Sequence, residues 1–246
     1  MGGSQIWLNE TEELTVHEML KAICVVSAND CSVAMAEFIG GSEEMFVQKM
    51  NDKAKELGMN DTTFKNCHGI DEDGHLTSAY DIALMSRELS KNHPEIHEYT
   101  KIWMDSLRDG KSQLVNTNKL VRFYSGCTGL KTGSTSIAGF NLSATATRND
   151  LKLIAVVVHG TSSKNRFDDA RKVLDYGFAN YSNKVLASKD QVIENIPVEK
   201  GNVKEARVLL EKAKGSEDPV VTNEVEEEMS LSGQLSRRRR QRRMTE

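Results

Sequence analysis

Two short elements hold residue types that could act together in acyl transfer: Ser27-Ala28-Asn29 and Lys131-Thr132-Gly133. A serine hydroxyl does little until a neighbouring base handles its proton. Lysine can be that base only where burial or nearby positive charge lowers its pKa. A second hydroxyl can relay the proton to a leaving amine, and a carboxamide such as that of Asn29 can hold a substrate amide. A Lys-Thr-Gly strand adds positive charge, a hydroxyl for a carboxylate, and a residue without a Cβ against which a ligand can lie. Either tripeptide alone is an ordinary cap or turn, so their meaning comes from a mechanism that uses both. That mechanism has a third part, a Ser-x-x-Lys nucleophile motif. No Ser-x-x-Lys occurs in these 246 residues; only the threonine versions Thr62 to Lys65, Thr128 to Lys131 and Thr161 to Lys164 do.

The elements that must position these residues can be read from periodicity. Thr15 is a good N-cap, and Met19, Leu20, Ile23 and Val26 follow at helical spacing, which predicts a buried helix ending at Ser27. A second short helix runs from about Asp30 to Gly40-Gly41. A third is capped by Ser42, carries Glu43 and Glu44 in its first turn, presents Phe46, Met50, Ala54 and Leu57 on one face, and stops at Gly58. Residues 58 to 76 read as a loop, and a helix with Ile82, Met85 and Leu89 follows Thr77 or Ser78 and ends before Pro94. Short strands are expected around residues 102 to 104 and 113 to 115. Apolar and polar residues alternate from Phe140 to Thr147, a polar turn follows at Arg148-Asn149-Asp150, and Leu151 to Val158 is almost continuously apolar. This predicts a hairpin whose second arm is a central strand covered on both faces. A closing helix carries Phe167, Ala170, Leu174 and Phe178. The fold class expected is therefore α/β of the α+β type: an antiparallel sheet covered by helices, with an α-rich subregion.

The remaining features exclude more than they suggest. A chain this long buries a core without metals or disulfides, and 38% apolar against 28% charged residues is ordinary for a globular domain. Cys24, Cys31, Cys67 and Cys127 match no metal or redox spacing and read as buried free thiols. His68, Asp71, Asp73 and His75 lie close in sequence but fit no metal-binding pattern, so loop hydrogen bonding is expected and no metal or cofactor. Trp7 and Trp103 read as core or groove-edge packing. No apolar run is long enough to span a membrane, and the first residues are not those of a secretory signal. Residues 184 to 213 could supply two or three short strands, or a strand and a helix. Residues 214 to 246, with clustered glutamates and the arginines from Arg237 to Arg243, read as a disordered charged tail with no expected nucleic-acid role.

Taken in order, several stretches resemble the low-molecular-mass penicillin-binding proteins that act as serine-type D-alanyl-D-alanine carboxypeptidases, peptidase family S11. They are Met1 through Asp30, Asn66 to Asp71, Ala79 to Asp81, Gly129 to Gly133 and Ala138 to Leu142. The resemblance covers about residues 1 to 181 and implies a partial catalytic domain of the penicillin-binding protein and β-lactamase type. It is followed by the start of a small C-terminal β-domain at 182 to 213. It also implies a D-Ala-D-Ala stem peptide of peptidoglycan as substrate, β-lactams as inhibitors of the intact enzyme, and an extracytoplasmic, membrane-associated setting. Position by position, it makes Ser27 the proton relay, Asn29 the amide anchor and Lys131 the charge. Thr132 becomes the carboxylate ligand, Gly133 the open strand position, and the N–H of Ser134 an oxyanion donor, with Arg166 in support of the carboxylate. The family's Ser-x-x-Lys precedes Ser-x-Asn by several tens of residues, so its place falls before Met1, and the chain as it stands is expected to be inactive. A non-catalytic protein that binds wall peptides or a partner is the main alternative. A β-lactamase is a third, against which Ala28 speaks, since the lactamase form has Asp there.

Overall fold

The computed structural model describes residues 2–187, 190, 192–197, 205–209, 214–215 and 220–221. The chain divides into two compact units, one of residues 1–148 with 152–175, the other of residues 149–151 with 176–246.

The first unit begins with three consecutive helices. Helix α1 (Val16–Val26) opens with a reciprocal capping box, the Thr15 hydroxyl accepting from Glu18 N–H and the Glu18 carboxylate accepting from Thr15 N–H. It ends at Ser27, whose left-handed backbone (φ 60°) stops the helix and turns the chain. Helix α2 (Asn29–Gly40) stops at Gly41, also left-handed, and Ser42 caps α3 (Glu43–Glu56) through Met45 N–H. Helix α4 (Ala79–Asn92) starts at the Ser78 cap, α5 (His97–Thr100) is a single turn, and β1 (Met104–Leu107) pairs with β2 (Ser112–Val115) as an antiparallel hairpin. Ile6, Met19, Ala22, Val25, Ala28, Cys31, Leu107 and Leu114 form one buried cluster, so the C-terminal end of α1, and with it Ser27, is anchored by helix and hairpin together.

After the short α6 (Leu120–Phe123) come β3 (Cys127–Thr135), β4 (Gly139–Arg148) and β5 (Leu151–Gly160), which form an antiparallel sheet in the order β3-β4-β5. Asn149 and Asp150 both take positive φ, as a two-residue hairpin turn between twisted strands requires. The central strand is β4, not the apolar β5 as its composition suggested. Ser143 and Thr145 are buried because each hydroxyl has a partner, Ser86 at 2.7 Å and Thr128 at 2.7 Å, so the polar half of the alternation is as deep as the apolar half.

One further expectation holds and another is corrected. On α3, Phe46, Met50, Ala54 and Leu57 share one face as expected and line an open apolar groove with Phe64 and Met85, although of the four only Ala54 is fully buried. Trp7 is 77% exposed, because its left-handed backbone (φ 58°) turns the ring outward while Ile6 takes the core position.

The closing helix α7 (Ser163–Asn180) buries Phe167, Ala170 and Leu174 as its periodicity predicted. In the second unit, β6 (Tyr181–Ser182), β7 (Val185–Ala187), β8 (Val192–Pro197), β9 (Glu205–Leu209), β10 (Lys214–Gly215) and β11 (Val220–Val221) form three antiparallel pairs, β6 with β11, β7 with β10 and β8 with β9. Strands β10 and β11 thus fall within the stretch expected to be a charged tail. The glutamate and arginine blocks of that tail lie outside the described residues.

Candidate active site

The structure brings the two tripeptides together. Lys131 leaves β3 with its ammonium group hydrogen-bonded to the Ser27 hydroxyl and, at 2.9 Å, to the Thr132 carbonyl. Residues 104 positions apart therefore meet because one caps a helix and the other rides the outer strand of the sheet. By surface area Lys131 is half-buried, but its ammonium end is enclosed, and the desolvation lowers its pKa from 10.5 to about 8, helped slightly by the positive charge of Arg166 and opposed by Cys24. The Cys24 thiol, one helical turn before Ser27, is itself pushed up to about 11 by burial. A lysine near 8 exchanges its proton at neutral pH, and a hydroxyl in direct contact can carry that proton onward.

Thr132 is buried, and its hydroxyl meets that of Thr117 at 2.6 Å. Gly133 is exposed. A methyl group added there would approach only Asn141 Cβ, at 4.0 Å, so nothing within the fold demands a glycine at this position. Ser134 is exposed next to the end of β3, paired in register with Phe140. Thr135 donates to Asp71 Oδ1 at 2.6 Å and accepts from Ala138 N–H, which ties the loop of residues 58 to 76 to the β3–β4 turn. His68 accepts from Ile70 N–H at 3.3 Å and lies 3.7 Å from Glu43 of α3, so loop hydrogen bonding holds for His68, whereas Asp71 bonds the sheet and His75 Nδ1 is buried without a partner.

Arg166 is buried at the start of α7, where it donates to the carbonyls of Gly133 (3.1 Å) and Asn141 (3.2 Å) and faces the rings of Phe140 and Phe167. It is not the surface charge its place at a helix start would suggest, and its Nε is buried without a partner. Gly160 lets this happen, since a Cβ there would come within 2.8 Å of Phe140 O and 3.4 Å of Arg166 Cβ. Asn29 is buried and donates to the Gly2 carbonyl at 2.9 Å, while its backbone N–H donates to Ser4 O. Gly3 fits beneath it only for lack of a Cβ, which would fall 2.5 Å from Asn29 Nδ2. The side chain thus uses one of its donors on the N-terminal segment and keeps its acceptor oxygen and second hydrogen.

A groove of about 950 Å³ opens beside the strand from Lys131 to Gly133, and Ser27, Asn29, Ser134 and Arg166 are not among its lining residues. Lys131, Thr132 and Gly133 form one wall, the loop at His75 and Leu76 another, and the paired hydroxyls of Ser86 and Ser143 lie among its lining. Sequence reasoning gave no place at the site to three neighbours: Thr117, Cys24 and Asp71. Thr117 and Cys24 act only through folding, and no local signal marks them; Asp71 was noticed, but its bond to Thr135 crosses 64 positions.

Helices packed around an antiparallel sheet, with a serine at a helix end facing a Lys-Thr-Gly strand, define a serine acyl-transfer fold. The family model for D-alanyl-D-alanine carboxypeptidase, peptidase family S11, matches residues 1–162, and the chain belongs to that family. It is 49% identical over 207 residues to the D-alanyl-D-alanine carboxypeptidase DacF of Bacillus subtilis, covering 83% of this chain and 53% of that protein. Over 181 residues it is 34% identical to DacC of Escherichia coli, covering 72% and 44%. The chain thus spans about half the length of the curated relatives it matches. Among solved structures, penicillin-binding protein 5 of Haemophilus influenzae superposes with a TM-score of 0.75 at 28% identity, covering 90% of this chain and 64% of that one. Penicillin-binding protein D2 of Listeria monocytogenes, in its ampicillin-bound form, gives 0.66 at 31% identity, covering 72% and 74%.

Proposed function

We propose that this chain provides the relay and substrate-strand side of a serine-type D-Ala-D-Ala carboxypeptidase site, which removes the terminal D-alanine from peptidoglycan stem peptides by acyl-enzyme chemistry. The observation that carries the reading is the contact between Lys131 and Ser27, with the lysine's pKa lowered to about 8. In this role Lys131 and Ser27 pass a proton to the departing D-alanine amine, and the remaining donor and acceptor of Asn29 hold the substrate amide. The peptide lies along β3 at Gly133, and its terminal carboxylate is met by Thr132, with Arg166 fixing the strand through the Gly133 carbonyl. The N–H of Ser134 faces the developing oxyanion. β-Lactams, which mimic the same acyl donor, are inhibitors of the completed site. Peptidoglycan lies outside the cytoplasmic membrane, and we place the protein there with its substrate.

The nucleophile and its base are the part these residues do not contain. The test is to place a Ser-x-x-Lys-bearing segment of the family ahead of the chain. The extended protein, once its near-ultraviolet circular dichroism shows fixed packing, should release D-alanine from an acylated Lys-D-Ala-D-Ala peptide and lose that activity on Lys131→Ala. A packed extended protein that neither releases D-alanine nor is acylated by penicillin contradicts the reading.

A further inference from the structure

The hydroxyl that the proposed site offers to the substrate carboxylate does not stand alone. Thr132 Oγ1 lies 2.6 Å from Thr117 Oγ1, a distance at which one hydroxyl donates to the other. Two hydroxyls have two protons. One is consumed in the bond between them, so the pair has a single proton left to give outward. Where Thr117 donates, the outward proton belongs to Thr132, and its hydroxyl is polarised by the bond it accepts.

Thr117 is also held in a way that suits a fixed donor. Its backbone N–H donates to Val25 O, 3.1 Å away and two residues before Ser27, so Thr117 bridges the end of α1 and strand β3. The flanking Asn116 and Asn118 are both buried. Asn116 Nδ2 donates to the carbonyls of Thr100 and Ile102, and its Oδ1 accepts from Asn118 N–H at 2.8 Å. Asn118 Oδ1 in turn accepts from Leu120 N–H. The turn of residues 116 to 118 is therefore pinned on both sides, and the one hydroxyl it carries is aimed at Thr132.

We infer that Thr117 is a positioning residue of the carboxylate subsite: it donates to Thr132 Oγ1 and so directs the Thr132 proton at the terminal carboxylate of the bound peptide. This rests on the proposed function, and the experiment separates the two. Binding of diacetyl-Lys-D-Ala-D-Ala and of the same peptide ending in a carboxamide is measured on the 246-residue chain by chemical-shift titration, for the wild type, Thr117→Val and Thr117→Ser. Loss of the one hydrogen bond that orients and polarises the Thr132 hydroxyl predicts that Thr117→Val weakens the acid peptide by about fivefold. The amide peptide should change less than twofold, and Thr117→Ser should restore acid binding. A merely structural threonine would weaken both peptides alike, or be rescued by neither residue, and that result overturns the inference. So does a Thr117→Val chain that binds the acid peptide as the wild type does. If the wild type binds neither peptide, the reading of the site itself fails, and the role of Thr117 with it.

Discussion

Replacing Lys131 with methionine should stabilise the protein at neutral pH relative to high pH, by an amount that follows from the lowered pKa of the lysine. The folded chain holds Lys131 at about 8 against 10.5 for the ordinary side chain, and each unit is worth about 1.4 kcal/mol. Between those two values the unfolded chain binds a proton that the folded chain does not, so wild-type stability rises with pH across that window. The penalty is absent above the unfolded pKa and complete once pH has fallen through the folded one. At pH 7 it comes to roughly 3 kcal/mol, and at pH 10 to less than about 1 kcal/mol. Methionine does not titrate, so terms such as the lost bonds to Ser27 and Thr132 shift its stability by a constant. The quantity to measure is the difference in unfolding free energy between wild type and Lys131→Met, by urea titration at a series of pH values. The wild type should gain about 2 to 3 kcal/mol on the variant between pH 7 and pH 10. A difference flat with pH means that the ammonium is solvated, and refutes the claim that Lys131 is poised to exchange its proton.

Further outcomes follow from single features. Gly133→Ala should leave the unfolding midpoint unchanged within error, because its methyl would meet only Asn141 Cβ at 4.0 Å, yet should weaken binding of a D-Ala-D-Ala peptide severalfold in a chemical-shift titration. Leu114→Ala should cost about 2 to 5 kcal/mol in urea unfolding, since Leu114 is 1% exposed in the cluster that seats α1 on the hairpin. The 246-residue chain should show no covalent band with a fluorescent penicillin on a denaturing gel, as it holds no Ser-x-x-Lys.

The local elements were legible where the chain announces them. Thr15, Ser42 and Ser78 each cap the helix their sequence predicts, and the Asn149-Asp150 turn joins the two strands it should. The serine and lysine of the site were legible too, because the mechanism dictates both residue types. What the sequence hid was depth. Apolar Leu151 to Val158 reads as a central strand, but centrality went to β4, whose serine and threonine are buried by hydroxyl pairing that spans 57 and 17 positions. Asp81 is 1% exposed because Asp61 N–H and the Thr62 hydroxyl reach its carboxylate across the loop. Arg166 carries no local sign of burial at its helix start, yet it is buried, since two strand carbonyls meet it. In each case a partner far along the chain removed the cost of burying a polar group, and no window of sequence contains both members.

The central claim is that Ser27 and the β3 strand from Lys131 to Ser134 form one cleft for a D-Ala-D-Ala terminus. It is tested most directly by mapping amide chemical shifts of the labelled chain as acylated Lys-D-Ala-D-Ala is added. Residues 27, 29 and 131 to 134 should shift together along one saturating curve, and the L-Ala-L-Ala peptide should leave them in place. Shifts confined elsewhere, or equal for both stereoisomers, would contradict the account.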